Sequence, residues 1–228
     1  MSDLKQAIQN RKKREEQQRV QAIMDAAKEV FYSKGYLKAT MDDVALASGM
    51  SKPIIYKHFK SKDDLYFSLT MIVFDESLRH LNRIDRKVKT GKYRTGAEII
   101  RDIFQYFEKI YLFDPEAFKI VLLFQHTGMV WELNDDVRSV LFRKGRKNYI
   151  IARRLSNLAM QQGLFKKVDA FQLVDTIWAG FLGIVRLEDT KSKGEMNLKR
   201  LKANLGFLEK MVIESVATQK RQEEKDTK

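Results

Sequence analysis

The chain has 228 residues and a formal net charge of +13, with 43 Lys and Arg against 30 Asp and Glu. It contains no cysteine, which excludes a disulfide scaffold, a thiolate zinc site, an iron–sulfur cluster and a cysteine nucleophile. Hydrophobic residues make up 44% of the sequence, enough for a packed core, and only 2 Pro and 11 Gly interrupt it. This composition favours an all-α protein, because strong helix formers dominate and turn residues are few.

Positive charge is concentrated near the N-terminus. Residues 1–62 contain 13 Lys and Arg against 7 Asp and Glu, a denser positive balance than in the remainder. A nucleic-acid partner and a solvated surface both explain such a bias. Residues 1–19 lack the apolar stretch of a signal peptide, and no run of about 18 apolar residues predicts a membrane span. We therefore expect a cytoplasmic protein with no membrane partner.

The first predicted helix runs from about Glu15 to Lys34. Its apolar residues recur every three or four positions and form one stripe: Val20, Ile23, Met24, Ala27, Val30 and Phe31. Gly35 then occupies the position of a left-handed C-cap. Residues 1–14 are predicted to form a flexible tail. Its basic run at 11–14 either stays a solvated arm or reaches DNA phosphates or a minor groove.

Two short helices follow, at 41–47 and 52–58, and the turn between them contains Gly49. Thr40 is a good N-cap for the first of the two, and Asp43 completes an approximate capping box. Two helices of this length joined by a short turn with a glycine form a helix-turn-helix.

The helix at 52–58 has two chemically distinct faces. Ile55 and Phe59 are four residues apart and are predicted to face inward. The outer face suits a DNA major groove better than a core, since it carries Lys52, Pro53, Tyr56 and Lys57. Pro53 is tolerated in the first turn, where amides have no intrahelical partner to lose, and Ser51 is the predicted cap.

The segment ATMDDVALASGMSKPIIYKHFKSKDDLYFSL, residues 39–69, resembles the DNA-binding domain of TetR-type transcriptional regulators. The resemblance covers residues 15–70, and its most specific part is Gly49 followed by aliphatic-Tyr-x-His-Phe, then Lys-x-Lys and an acidic helix start. One departure is Asp42 and Asp43, at positions where some members use Arg to read a base. The base preference of this chain is therefore expected to depend more on the helix at 52–58.

The resemblance implies DNA contacts at the matching positions, which are Thr40, Ser51, Lys52, Pro53, Tyr56, Lys57, His58 and Lys62. Lys52, together with backbone amides, can hold a phosphate, and Lys57 can reach the O6 and N7 atoms of guanine. Three alternatives stay open. Tyr56 can pack between the first and third helices, His58 can be a semi-buried histidine, and Lys62 can be merely solvated.

Six further helices are predicted, at about 63–86, 97–112, 115–127, 135–162, 170–188 and 195–218. The total of nine is the usual number in TetR-type regulators. The resemblance implies a three-helix DNA-binding domain at 15–62 with its helix-turn-helix at about 40–59. A helical ligand-binding and dimerisation domain would follow at 63–218, with a second flexible tail at 219–228. The helix at 63–86 is the only predicted element that touches both domains.

The last two predicted helices carry more apolar surface than one core can cover. Gly180 and Gly183 lie between apolar stripes and offer close approach to a neighbouring helix. The resemblance implies a homodimer interface formed by Phe171, Val174, Trp178, Phe181, Leu182, Leu201, Leu205 and Leu208. The alternative is that these are deeply buried core helices of a monomer.

Large aromatic residues are frequent in the middle of the chain. The resemblance implies an effector pocket there, for which the candidates are Phe104, Phe107, Tyr111, Phe124, His126, Trp131 and Trp178. Each aromatic side chain fits a core position as well as a pocket. The expected effector is apolar or amphipathic, such as an acyl chain or a hydrophobic drug.

Enzyme motifs are lacking in the sequence, which contains no G-x-S-x-G, G-x-x-x-x-G-K-[ST], G-x-G-x-x-G or H-E-x-x-H. We therefore expect neither an enzyme nor a cofactor or metal site. The leading hypothesis is a homodimeric repressor that binds a palindromic operator and is released by a small ligand. The alternatives are an architectural DNA-binding protein without an effector and a helical protein that binds small molecules.

Overall fold

The computed structural model describes residues 2–127, 129–192 and 196–218, and their side chains except those at 2–4, 123–127, 129 and 132. Nine α-helices lie in these ranges: α1 (Ser2–Lys38), α2 (Met41–Ser48), α3 (Lys52–His58), α4 (Lys62–Lys89), α5 (Gly96–Phe113), α6 (Pro115–Thr127), α7 (Asp135–Gln161), α8 (Ala170–Lys191) and α9 (Leu198–Val216). A 3₁₀ turn, Met129–Glu132, precedes α7. The described ranges contain no strand, which confirms the all-α prediction. The predicted tail at 219–228 lies outside the described residues.

Helix α1 begins at Ser2, so the prediction of a flexible tail at 1–14 was wrong for the described residues 2–14. The added turns are exposed on all sides from Lys5 to Arg14. A helix of this kind is stabilised by its own side-chain pairs, and Arg11 Nε donates to a Glu15 carboxylate oxygen at 2.8 Å. Polar composition suggested a tail, yet Lys, Arg, Glu and Gln are also strong helix formers.

The chain kinks at Gly35, where φ is 72° and ψ is 160°. The positive φ agrees with the predicted glycine position, although ψ lies outside the left-handed helical region. Helical geometry resumes beyond the kink, so that α1 continues to Lys38. The kink therefore ends the long straight part of α1 near its predicted end.

Two compact units make up the fold. The first comprises Met1–Val73 and Glu116–Leu141, and the second comprises Phe74–Pro115 and Phe142–Lys228. Both α4 and α7 contribute residues to each unit. The sequence analysis had predicted that the helix corresponding to α4 is the only such element, and that prediction was wrong. Because α6 belongs to the first unit, that unit is larger than a three-helix domain.

The core of the first unit is built from the inner faces of its helices. Ile55 and Phe59 are buried, which confirms the inward face predicted for α3. Phe31 and Tyr66 pack edge to face with ring centroids 4.8 Å apart, and Tyr36 lies 4.7 Å from Tyr66. Aromatic pairs at these separations add to the stabilisation from buried area. This cluster fixes α1 against the start of α4.

Asp63, in the first turn of α4, connects three segments of the same unit. Its carboxylate accepts hydrogen bonds from the backbone and side-chain nitrogens of Asn134, at 2.9 and 3.2 Å. It also accepts from the Tyr36 hydroxyl. The Asn134 side-chain oxygen in turn accepts from Val137 N at 3.0 Å. One carboxylate thus joins the end of α1 and the start of α4 to the start of α7.

In the second unit, α9 packs against both α5 and α8. Phe181 of α8 stacks on Phe107 of α5 with centroids 4.3 Å apart. Glu188 of α8 is buried and accepts hydrogen bonds from Asn204 at 2.9 Å and from the Arg200 guanidinium, both on α9. Removing one partner of a buried carboxylate is costly, so these bonds fix how α8 sits on α9.

Gly180 allows the close approach of α8 and α9 that the sequence predicted. A Cβ at this position would lie 2.7 Å from the Leu208 Cδ2 atom of α9. Gly183 has open space around its backbone and plays no such part within the protomer. Of these two glycines, Gly180 is the one that lies against α9 within the protomer.

Helix α8 is long and apolar enough, by length and composition, to cross a membrane, and 22% of its most apolar segment is buried in the protein. The expectation that no segment could span a membrane rested on uninterrupted apolar runs and did not single out this helix. Its inner side, including Leu173, Ile177 and Phe181, is buried in the protomer. One apolar side of α8 therefore has a protein partner, and the other side is exposed.

We expect Gly96→Ala to lower the free energy of unfolding by about 1–3 kcal/mol, the usual cost of overpacking. A Cβ at Gly96 would overlap the Leu164 carbonyl oxygen and lie 3.1 Å from the Ala217 Cα, both of which are backbone atoms. The matched control is Gly145→Ala in α7, where the nearest atom is Phe74 Cε1 at 3.6 Å. Urea unfolding should show loss of stability only at Gly96, and equal effects would contradict the close approach.

Candidate nucleic-acid interface

Helices α2 and α3 have the geometry of a helix-turn-helix. The predicted capping box is confirmed, because Asp43 N donates to the Thr40 hydroxyl at 3.2 Å and Thr40 N donates to the Asp43 carboxylate at 3.0 Å. Gly49 ends α2 in the left-handed conformation, with φ 64° and ψ 19°. Ser51 occupies the N-cap position of α3, but its side chain makes no capping hydrogen bond, so this predicted bond is wrong.

The outer face of α3 is exposed, as expected of a surface that contacts DNA. Lys52, Pro53 and Lys57 are exposed, and Tyr56 retains 47% of its accessible surface. The alternative that Tyr56 packs between α1 and α3 therefore has no support. A Tyr ring and two ammonium groups on one short helix can meet both phosphates and base edges.

Both lysines on the outer face of α3 pair with a carboxylate. Lys52 Nζ lies 2.7 Å from Asp42 Oδ2, and Lys57 Nζ lies 3.0 Å from Glu16 Oε1. The hydrogen bond to Asp42 raises the pKa of Lys52, and the hydrogen bond from Lys57 lowers the pKa of Glu16. The sequence analysis missed these pairs, because Glu16 and Lys57 are far apart along the chain.

Asp42 and Asp43, the departure from the family pattern, both have a structural explanation. Asp42 pairs with Lys52, and Asp43 caps α2 while accepting a hydrogen bond from Lys34 at 2.6 Å. The Lys34 hydrogen bond and, after it, the bonds from Thr40 lower the pKa of Asp43. Both carboxylates thus pair with lysines.

His58 and Lys62 differ from the exposed lysines. The His58 side chain is only 10% exposed, and its Nε2 atom lies 3.6 Å from Glu16 Oε1, beyond hydrogen-bond distance. This favours the semi-buried alternative for His58. Lys62 is half-buried, donates to the Tyr36 carbonyl at 2.8 Å and lies 4.3 Å above the Tyr36 ring. It is therefore not merely solvated, because it ties α4 to the end of α1.

The candidate effector residues fall into different parts of the fold. Phe104, Phe107 and Tyr111 are buried in the second unit, and Phe107 lies 5.9 Å from the half-buried Trp178. Trp131 belongs to the first unit and is 66% exposed, with the Arg138 guanidinium 5.5 Å from its ring centroid. Trp131 and the other described aromatic candidates therefore belong to different units. The side chains of Phe124 and His126 lie outside the described residues.

Three residues of the predicted dimer interface are part of the protomer core. Phe181, Leu201 and Leu205 are buried, so their assignment to a subunit surface was wrong. Each faces the interior, because α8 and α9 pack on each other and α9 also packs on α5. Of the predicted interface residues, Phe171 is exposed, and the Arg153 guanidinium lies 3.8 Å from the centroid of its ring. The half-buried members are Val174, Trp178, Leu182 and Leu208.

The exposed apolar face of these helices carries residues that the sequence analysis did not select. Phe207 and Met211 of α9 are 68% and 52% exposed, and Leu187 of α8 is also exposed. Phe207 and Met211 are four residues apart, the spacing that signals one helix face. That spacing was available in the sequence, but the sequence analysis selected the more numerous leucines of α9 instead.

Comparison with known proteins gives a family for the N-terminal part. Residues 23–69 match the model of bacterial regulatory proteins of the tetR family. The chain is 34% identical over 77 residues to the HTH-type transcriptional activator FasR of Mycolicibacterium smegmatis, a match covering 34% of this chain and 35% of that protein. The matched segment thus spans about a third of that relative's length, and the rest is not aligned.

Solved structures resemble most of the chain in fold. The TetR-family regulator PfmR from Thermus thermophilus has a TM-score of 0.69 at 15% identity, covering 85% of this chain and 97% of that one. FadR from Bacillus subtilis in complex with stearoyl-CoA has a TM-score of 0.60 at 17% identity, covering 82% and 96%. At such identities the likeness concerns the fold alone.

These relatives are regulators and not enzymes. Among the described residues no group of three or more His, Asp or Glu side chains could hold a metal ion. The helix-turn-helix of α2 and α3, the nine helices of the described ranges and the match at residues 23–69 agree with one another. Residues 23–69 are therefore similar to the tetR family of bacterial regulatory proteins, and the described helices share the fold of solved TetR-family regulators.

Proposed function

We propose that the protein is a cytoplasmic, sequence-specific DNA-binding regulator of transcription, which contacts its operator through the outer face of α3. The observation that carries this proposal is the exposure of Lys52, Pro53, Tyr56 and Lys57 together on a helix whose other side is buried. Thr40, Ser51 and Lys62 flank this face and are proposed as additional contacts. His58, being semi-buried, is proposed to act through its neighbours.

We further propose that a second copy of the chain covers the exposed apolar face of α8 and α9. Phe207, Met211 and Leu187 lie on this face together with two small residues, Gly183 and Ala203. Small residues allow helices of two subunits to approach closely, while the large ones supply apolar area. A two-fold dimer would present two copies of α3, which explains why the operator should be palindromic.

The proposed effector is a small apolar or amphipathic molecule, such as an acyl compound. Support comes from the aromatic residues of α5 and α8 and from the fold of FadR, whose structure is a complex with stearoyl-CoA. We propose repression, with the ligand releasing the operator. A ligand that binds only the DNA-free form weakens DNA binding by the same factor by which DNA weakens ligand binding.

The test is selection of duplexes from a random pool, followed by competition between the selected duplex and a random duplex of equal length. A specific regulator should prefer the selected site by at least about 10³-fold. Lys57→Ala should lower that preference, because its ammonium is proposed to read a base. Equal affinity for both duplexes would reject the proposal and favour an architectural DNA-binding protein, and no binding to either would favour a small-molecule-binding protein.

A further inference from the structure

Glu16, in the long first helix, is placed where a negative charge should hinder DNA binding. It faces Lys57 of α3, whose outer face is the proposed reading surface, and it is 40% exposed. DNA phosphates repel a carboxylate at such a place. The presence of a carboxylate at this position requires an explanation, because Gln or Ser would keep the helix without repelling the phosphates.

The Glu16 carboxylate lies among three basic side chains. Oε1 lies 3.0 Å from Lys57 Nζ and 3.6 Å from the buried Nε2 of His58, while Oε2 lies 3.9 Å from Arg19. Lys57 Nζ therefore donates a hydrogen bond to a carboxylate that lies in a basic environment. The ion pair favours one position of the Lys57 ammonium, on a side chain that is 63% exposed.

An ammonium group has three protons, and the bond to Glu16 uses one of them. The remaining two can be donated to a guanine edge without loss of the ion pair. A phosphate contact depends on the positive charge of the ammonium, which the Glu16 carboxylate partly neutralises, so that contact becomes less favourable. Since phosphate contacts dominate binding to random sequences, the ion pair weakens random binding more than operator binding.

We propose that Glu16 is a specificity-determining residue, whose carboxylate holds the Lys57 ammonium for a base contact and disfavours its use as a general phosphate contact. The inference rests on the proposed function. It uses repulsion against the wrong partner together with positioning for the right one, two general ways of gaining specificity.

The experiment is Glu16→Gln, which removes the charge and keeps the side-chain length. We expect affinity for a random duplex to rise about tenfold, because a freed Lys57 in each subunit gains phosphate contacts. Affinity for the selected operator should stay unchanged or fall, so the ratio of the two affinities should drop about tenfold. Fluorescence anisotropy at one fixed salt concentration measures both duplexes.

Glu15→Gln is the matched control, because it removes the same charge one position earlier. Glu15 pairs with Arg11 of its own helix and not with α3. It should change both affinities by the same small factor. A further control is Glu16→Gln in a Lys57→Ala background, where the effect on the ratio should vanish because the two residues act as a pair.

Each result decides the question. If Glu16→Gln changes the affinities for the operator and the random duplex by the same factor, as Glu15→Gln should, Glu16 acts only through its charge and the proposal is wrong. If wild-type protein itself shows no preference for a selected duplex, the proposed function fails instead. Thermal unfolding of both variants confirms that the comparison is made between folded proteins.

Discussion

Phe207→Glu should convert the proposed dimer into monomers that bind the operator about 10²–10⁴-fold more weakly, because linked half-site binding is lost. Phe207 is 68% exposed on α9 and belongs to the apolar face that we propose a second copy covers. A buried glutamate in each subunit would face an apolar partner without a compensating cation. Sedimentation equilibrium at micromolar concentration measures the assembly, and anisotropy measures the DNA affinity.

Two other substitutions by glutamate separate this effect from general damage. Phe181→Glu should unfold the protomer, since Phe181 is 0% exposed and stacks on Phe107 at 4.3 Å. Phe113→Glu, at an exposed position at the end of α5, should leave both assembly and folding unchanged. A Phe207→Glu protein that remains dimeric at micromolar concentration would place the subunit interface elsewhere.

The helix-turn-helix could be predicted from sequence because its signals are local. Thr40 and Asp43 are three residues apart, Gly49 supplies the left-handed turn, and Ile55 and Phe59 are four apart. Each of these relations is fixed by helix geometry over a few residues. The structure places all five as predicted.

The charge pairs of the same region could not be predicted, because they depend on how helices pack. Lys57 and Glu16 are separated by 41 positions, and Lys52 and Asp42 by 10. Nothing in the spacing of these residues shows which lysine faces which carboxylate. The role of Asp42 therefore stood out in the sequence only as a departure from a family pattern.

The assignment of apolar residues to core or interface failed for a related reason. Helices α8 and α9 are apolar on more than one side, and periodicity shows only that two sides exist. Which side is inward depends on α5, which packs against α9. On α9 the sequence analysis chose the leucine stripe, in which Leu201 and Leu205 proved to face inward, while Phe207 and Met211 are exposed.

The start of α1 was also difficult to predict from the sequence. A polar helix and a polar tail have similar composition, and only pairing of the type seen between Arg11 and Glu15 favours the helix. The helical conformation of this segment also changes how its basic side chains are presented to a partner. A cation on a helix is presented at a fixed position relative to the rest of α1, whereas a cation on a flexible arm is not.

Raising the salt concentration from about 50 to about 200 mM should weaken operator binding by about 10³–10⁵-fold, as for proteins that neutralise six to ten phosphates. The basic residues of the first unit supply the cations, and each phosphate they neutralise releases a counterion from DNA. The measurement is the slope of log affinity against log salt, taken by anisotropy with the selected operator.

Lys52→Ala should make this slope shallower by about one for each phosphate contact removed, and the dimer contains two copies of the residue. Lys92→Ala is the matched control, because Lys92 is exposed in the loop between α4 and α5 and should leave the slope unchanged. Lys52 gives up its bond to Asp42 when it contacts DNA, so part of its gain is offset, but counterions are still released from the phosphate. A slope that does not respond to Lys52→Ala would show that this lysine stays with Asp42 in the complex and contributes to the fold of the helix-turn-helix instead of to DNA binding.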